Sequence, residues 1–234
     1  MHFARVPRLA GPLAGPLVGL LLVATACSGA GETEVPPEER LAAAKTVLDE
    51  TPGVTLSIEA DRLPQGVTGL SSGEGVATHD PAFEGTLEVT GSGVTANVAV
   101  VAVDGVVWAQ LPFRQDFVEI DPADYGAPDP AELMATEGGL SSLLSEAEGV
   151  EEGEQTRDGE AVLTTYTGTV PGEAVGALLP SADAGADFDA EFSIDGEDRL
   201  TRVELTGPFY PDTEDVTYVV GLRDYGTEKE IVAP

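Results

Sequence analysis

The stretch from Thr86 to Leu111 constrains the fold more than any other, because it is an antiparallel meander written in alternating residues. Leu87 and Val89 fall on one face of its first strand and Thr86, Glu88 and Thr90 on the other, so one side meets an apolar space and the other meets water. A Gly91-Ser92-Gly93 turn leads into Val94 to Val103, where Val94, Ala96, Val98, Val100 and Ala102 share one phase. Asp104-Gly105 then separates two β-branched runs. This is the strongest short hairpin signal, since both central residues of a type I′ turn require positive φ. Val106 to Leu111 completes the meander. Its apolar face covers either a packed core or the wall of a cavity, and alternation alone does not separate the two.

The segments on either side extend the same pattern. Pro36-Pro37-Glu38-Glu39-Arg40 opens a helix with proline and acids in the first turn, and Leu41, Ala44, Val47 and Leu48 give it an apolar stripe that ends at Thr51-Pro52-Gly53. Val54, Leu56, Ile58 and Ala60 alternate as a half-buried strand. The Gly- and Ser-rich stretch from Gly66 to Gly75 reads as a flexible edge around Gly69-Leu70 leading to a weak strand near Val76. Asp116 to Ile120 is a short strand, Asp121-Pro122 and Asp129-Pro130 are helix starts, and Gly139 to Glu148 is a short amphipathic helix with Leu140, Leu143, Leu144 and Ala147 on one side.

Beyond an acidic loop from Glu148 to Glu154, Ala161 to Val170 favours a strand and Pro171 to Leu179 a short helix. Phe188, Ala190, Phe192 and Ile194 alternate with polar residues, and Leu200 to Thr206 and Val216 to Asp224 close the series. About nine strands joined mostly in antiparallel sequence, with helices grouped in a few insertions, predict an α+β domain built on a single curved antiparallel sheet. At 234 residues the chain holds one large domain or two small ones, and the shared sheet favours one.

The N-terminus carries an address. Arg5 and Arg8 form a positive region, and the apolar run Leu9 to Val23 is short and interrupted by Pro12 and Pro16, as in a signal peptide (1–26) rather than a spanning helix. It ends in Val23-Ala24-Thr25-Ala26 directly before Cys27, the only cysteine, which has no partner in the chain for a disulfide. The arrangement resembles the lipobox of bacterial lipoproteins, with Ala24 in place of the usual leucine. That resemblance implies diacylglycerol on Cys27, cleavage before it and acylation of the new amino group. Residues 27–37 then form a polar tether whose coil length is roughly 17 Å, holding the domain 38–234 near the outer surface of the cell membrane. Ordinary secretion with cleavage after Ala26 is the alternative.

Charge and chemistry remove several functions. With 42 acidic against 11 basic residues and a net charge of −31, binding to nucleic acid by phosphate neutralisation is excluded as a main role. After signal removal His79 is the one histidine left. Beside Asp80 in a turn-rich segment it is a poor triad base, although an esterase using it is conceivable on paper. Asp187 to Phe192 superficially matches a calcium loop but lacks the sixth-position glycine and reads as strand alternation. No zinc spacing or phosphate-binding loop occurs, so neither a metal nor a soluble cofactor is expected. Trp108 is expected in core or rim packing.

From Arg40 onward the chain resembles the LppX/LprAFG family of actinobacterial lipoproteins, LprG-like members in particular. The resemblance rests on Asp104-Gly105-Val106-Val107-Trp108-Ala109, on Asp121-Pro122-Ala123-Asp124-Tyr125 with Asp129-Pro130-Ala131-Glu132-Leu133, on Gly138-Gly139-Leu140 to Leu144, and on Asp158-Gly159-Glu160. It implies a half-barrel whose helices cover the concave face around an apolar cavity for acyl chains of lipids or glycolipids. On that template Leu87, Val89, Ala96, Val98 and Val100 line the sheet wall and Leu140, Leu143 and Leu144 the helical wall. The expected role is that of a non-enzymatic carrier. The cost of exposing acyl chains to water makes release a handoff to a membrane exporter or acceptor, and the net negative charge disfavours pairing with anionic headgroups unless Arg62, Arg114 or Arg202 stands at the entrance. The rival without a cavity is an envelope scaffold with a filled core.

Overall fold

A computed structural model describes residues 35–234 except Ser92, Gly126 and Glu160. The signal peptide (1–26), Cys27 and the tether as far as Glu34 lie outside the described residues.

The alternating segments become strands of one sheet. Helix α1 (Pro37–Glu50) leads to β1 (Gly53–Ala60), β2 (Gly69–Thr78), β3 (Ala82–Gly91), β4 (Val94–Val103), β5 (Val106–Gln110) and β6 (Val118–Ile120). Two 3₁₀ turns, Pro122–Tyr125 and Pro130–Met134, and α2 (Ser142–Glu146) precede β7 (Glu148–Asp158) and β8 (Ala161–Pro171). Helix α3 (Gly172–Leu178), β9 (Asp187–Ile194), β10 (Leu200–Gly207) and β11 (Val216–Arg223) complete the chain. The strand order is β6-β5-β4-β3-β2-β1-β11-β10-β9-β8-β7, every pair antiparallel, with β6 and β7 as free edges, so the sheet does not close.

This order explains where the helices go. The chain leaves the sheet at one edge, β6, and re-enters at the other, β7, so residues 121–147 must cross the sheet. That crossing carries both 3₁₀ turns and α2, and α1 packs beside it. The apolar stripe of α1 (Leu41, Ala44, Leu48) and Leu140, Leu143 and Leu144 are buried with the inward-facing strand residues in one core. Lys45 clamps α1 to the crossing: its ammonium donates to Asp49 at 2.8 Å, to the Thr136 carbonyl at 2.9 Å and to Ser141 Oγ at 3.1 Å.

The Asp104-Gly105 turn has positive φ at both residues (56° and 73°), as its hairpin signal requires. Two segments differ from the sequence expectation. Glu148 to Glu154 is not a loop but the first part of edge strand β7. Of its residues only Val150 is buried, so it has no alternation to read, and its acids protect a free edge from further pairing. The Gly66 to Gly75 stretch is likewise no flexible edge, because β2 sits between β1 and β3 and is bulged only at Leu70–Ser72. Its glycines serve packing: a Cβ on Gly75 or Gly85 would lie 2.5 Å or 2.7 Å from the Phe83 ring, which occupies the space both leave.

Candidate functional site

The concave face is covered unevenly, and the unevenness follows the strand phase. Inward residues nearest the Asp104-Gly105 turn are buried on every strand of the β1–β5 half: Val54 and Leu56, Ala77, Phe83, Val100 and Ala102, Val107 and Ala109. Toward the opposite end, where Gly91 and Val94 turn the chain, the same phase becomes half-buried at Ile58, Ala60, Gly73, Leu87, Val89, Ala96 and Val98. Strands β8, β9 and β10 show no such gradient. Tyr166, Val170, Phe188, Ala190, Phe192, Ile194, Leu200, Val203 and Leu205 are all buried.

One cross-strand row shows the transition. Tyr166 pairs with Phe192, Phe192 with Val203, Val203 with Val220, Val220 with Ile58, Ile58 with Gly73, Gly73 with Leu87 and Leu87 with Val98. Tyr166, Phe192 and Val203 are dry, whereas the five positions from Val220 to Val98 are half-buried. Four strand spacings separate Val220 from Val98, about 19 Å at the usual interstrand distance. The row is a half-buried apolar strip of the concave face without a charged side chain, called the trough below. Gly73 sets its shape, since a Cβ there would meet Leu87 Cδ2 at 2.7 Å and Ile58 Cγ2 at 3.3 Å. Half-buried Leu63 and Val67 of the β1–β2 loop and Leu133 of the second 3₁₀ turn also pack on the core.

At the open end the trough abuts a buried pair of tyrosines. Tyr218 donates to the Leu70 carbonyl at 2.9 Å, which leaves Tyr210 to donate to Tyr218 at 2.6 Å. Burial raises both phenols above the ordinary tyrosine value, so both hydroxyls are neutral and available as hydrogen-bonding groups. Gly69 admits this arrangement, for a Cβ there would overlap Tyr210 Oη.

The residues singled out in the sequence divide between two environments. Leu87, Val89, Ala96 and Val98 lie on the half-buried part of the concave face; Val100, Leu140, Leu143 and Leu144 lie in the fully buried core. The meander alone does not point to Ile58, Ala60, Leu63, Val67 and Val220. Alternation in β1 marks Ile58 and Ala60, while nothing local marks the two loop residues. Trp108 faces the outer side, where it packs with Ala82, Val101, Val103 and Phe117 under Ile231 of the C-terminal segment. Of the three arginines, Arg202 is on the outer face, bound to Glu204 at 2.5 Å and within 3.6 Å of Glu191. Arg62 and Arg114 occupy loops at the open end, Arg62 being 3.5 Å from Glu214. Two surface depressions, of about 470 and 600 Å³, lie outside the trough floor's inner side: one along the polar outer face near Glu59, Glu88 and Arg202, the other beside the C-terminal segment.

The catalytic alternatives find structural roles. His79 Nε2 donates to the Leu48 carbonyl at 3.0 Å, tying β2 to the C-terminal end of α1, so the proton sits on Nε2. Ser141 and Lys45 are in contact, but the ammonium spends its three donors on three acceptors and has no lone pair to act as a base. His79→Ala is expected to lower stability by about 1 kcal/mol in urea unfolding and to leave ester hydrolysis at background. A hydrolytic activity lost in that variant would make His79 catalytic. Asp187 to Phe192 lies in β9, and no cluster of metal-ligating side chains occurs among the described residues.

The fold and its partly covered face define a class: an open antiparallel half-barrel with a helical crossing and an apolar inner wall. The LppX_LprAFG lipoprotein family model matches residues 36–231, and the chain belongs to this family. Among solved structures, LprF from Mycobacterium bovis superposes with a TM-score of 0.71 at 13% identity, covering 85% of this chain and 96% of that one. Lipoprotein LppX from Mycobacterium tuberculosis gives a TM-score of 0.61 at 16% identity, covering 83% and 97%. At these identities the likeness is one of fold. Sequence comparison with curated proteins returns no match.

Proposed function

We propose that this protein is a membrane-anchored carrier that shields acyl chains of a lipid or glycolipid while they cross the cell envelope. The observation that supports it is the half-buried row from Val220 to Val98, an uncharged apolar strip only partly covered, whereas the same phase nearer the Asp104-Gly105 turn is fully buried. At about 0.8 kcal/mol per CH₂, a sixteen-carbon chain in water costs roughly 12 kcal/mol, so a lipid needs such a surface to leave a bilayer. The same cost makes release a handoff into another apolar site, which implies a membrane exporter or acceptor protein. In this reading Cys27 bears the diacylglycerol anchor, an N-acyl group adds a second hold on the cell membrane, and no soluble cofactor takes part.

Val100, Leu140, Leu143 and Leu144 belong to the supporting core in this reading, and cargo lies against Leu87, Val89, Ala96 and Val98. The full burial of the first four equally suits an envelope scaffold with a filled interior. Organic extraction of the purified protein with mass spectrometry, paired with uptake of a fluorescent phospholipid, separates the two. A carrier yields co-purifying lipid and saturable uptake near one lipid per chain, whereas neither signal means a scaffold.

A further inference from the structure

At the open end of the trough two apolar side chains stand in water. Val94, the first residue of β4, is 67% exposed and Phe113, between β5 and β6, is fully exposed. The backbone holds Phe113 outward at a cost. Leu111-Pro112-Phe113-Arg114 is a turn closed by the Arg114 N–H to the Leu111 carbonyl at 3.0 Å, with proline second and a positive φ (67°) third. That third position normally takes glycine or asparagine, and a bulky side chain there is a genuine outlier. Gln110 Nε2, donating to the Gln115 carbonyl at 2.7 Å, braces the loop across its base.

From these features we infer that Phe113 and Val94 form the edge by which the domain docks on a lipid bilayer, placing the open end of the trough at the lipid surface. The inference rests on the carrier reading for its purpose but not for its geometry. A protein partner would need a contiguous patch of roughly 800 Å² per side with an apolar centre. Two strongly exposed apolar side chains at separate turns do not supply that, whereas a fluid interface accepts isolated aromatic anchors. Arg114, the next residue in the chain, makes no ion pair among the described residues and suits a lipid phosphate. With a net charge of −31, apolar insertion rather than attraction to anionic headgroups carries the contact.

The test compares the mature chain 27–234 carrying Cys27→Ala with the same chain carrying Phe113→Asn and Val94→Thr in addition. Asparagine tolerates positive φ, so the substitution relaxes the turn and folding is kept. Flotation with vesicles of phosphatidylcholine alone, and of phosphatidylcholine with phosphatidylglycerol in equal parts, is expected to show partitioning reduced roughly tenfold in both, the equivalent of about 1.4 kcal/mol. Loading from detergent micelles is expected to be unchanged. Equal partitioning of the two chains, or a loss confined to the anionic vesicles, overturns the docking edge. A parent chain that takes up no lipid from micelles, while the variant still loses partitioning, defeats the carrier and leaves the docking edge standing.

Discussion

Phe209→Ala is expected to lower the unfolding free energy by about 3–5 kcal/mol, a large part of what a domain of this size has. The ring is 2% exposed and meets two others edge-on: Phe188 at 4.9 Å between centroids and Tyr218 at 4.8 Å. Gly207 makes room for this group, since a Cβ there would overlap Phe188. Tyr218 extends it by its hydroxyl bond to the Leu70 carbonyl, so the cluster joins β9, the β10–β11 loop and β11 to the start of β2. Removing Phe209 leaves a cavity that its neighbours cannot close without breaking that bond. Urea unfolding gives the free energy, and thermal unfolding is expected to fall by on the order of 10 °C. Tyr218→Phe, which keeps the ring and loses the hydroxyl, is expected to cost only about 1–2 kcal/mol. A loss below 1 kcal/mol for Phe209→Ala would falsify this account of the packing.

The strands that face a core on one side were legible, because burial imposes a period of two on them. β1, β3, β4 and β9 show it in Val54 to Ala60, Leu87 and Val89, Val94 to Ala102, and Phe188 to Ile194. β7 was not legible because all of it but Val150 is wet, and β2 was legible only near Val76 because glycine stands at Gly73 and Gly75, inward positions where an apolar residue would mark a strand. Neighbouring side chains supply the missing volume: Leu87 over Gly73, and Phe83 over Gly75 and Gly85. Such borrowing depends on register, which no local pattern reveals.

The candidate site was legible in phase but not in extent. Strand alternation puts Leu87, Val98 and Val100 on one face, yet nothing in the letters says that the helical crossing covers Val100 and stops short of Leu87 and Val98. Strand order requires residues 121–147 to pass between the two sheet edges, but the limit depends on the height along the strands at which they pass, which no local pattern specifies. Trp108 illustrates the opposite case. Its neighbours Val107 and Ala109 face the core, so the same alternation sends the tryptophan outward, where Ile231 covers it from more than a hundred residues away.

Leu87→Trp is expected to weaken lipid uptake roughly fiftyfold while leaving the fold intact. Leu87 sits at the centre of the half-buried row, paired with Gly73 on one side and Val98 on the other, and already leans over Gly73. An indole there has no dry space to enter, so it spreads over the trough floor and displaces about three methylenes of a bound chain. At about 0.8 kcal/mol each, this comes to about 2.4 kcal/mol of affinity. Because the position is half-buried, the folded domain accommodates the larger side chain and circular dichroism is expected to be unchanged. Leu143→Ala supplies the contrast. Leu143 is fully buried against the core, so the substitution is expected to cost about 2–5 kcal/mol of stability with uptake by the remaining folded protein retained. The two variants therefore separate the trough from the core that supports it. Uptake lost with Leu143→Ala under folded conditions, but untouched by Leu87→Trp, would move the lipid from the open face to the space beneath α2.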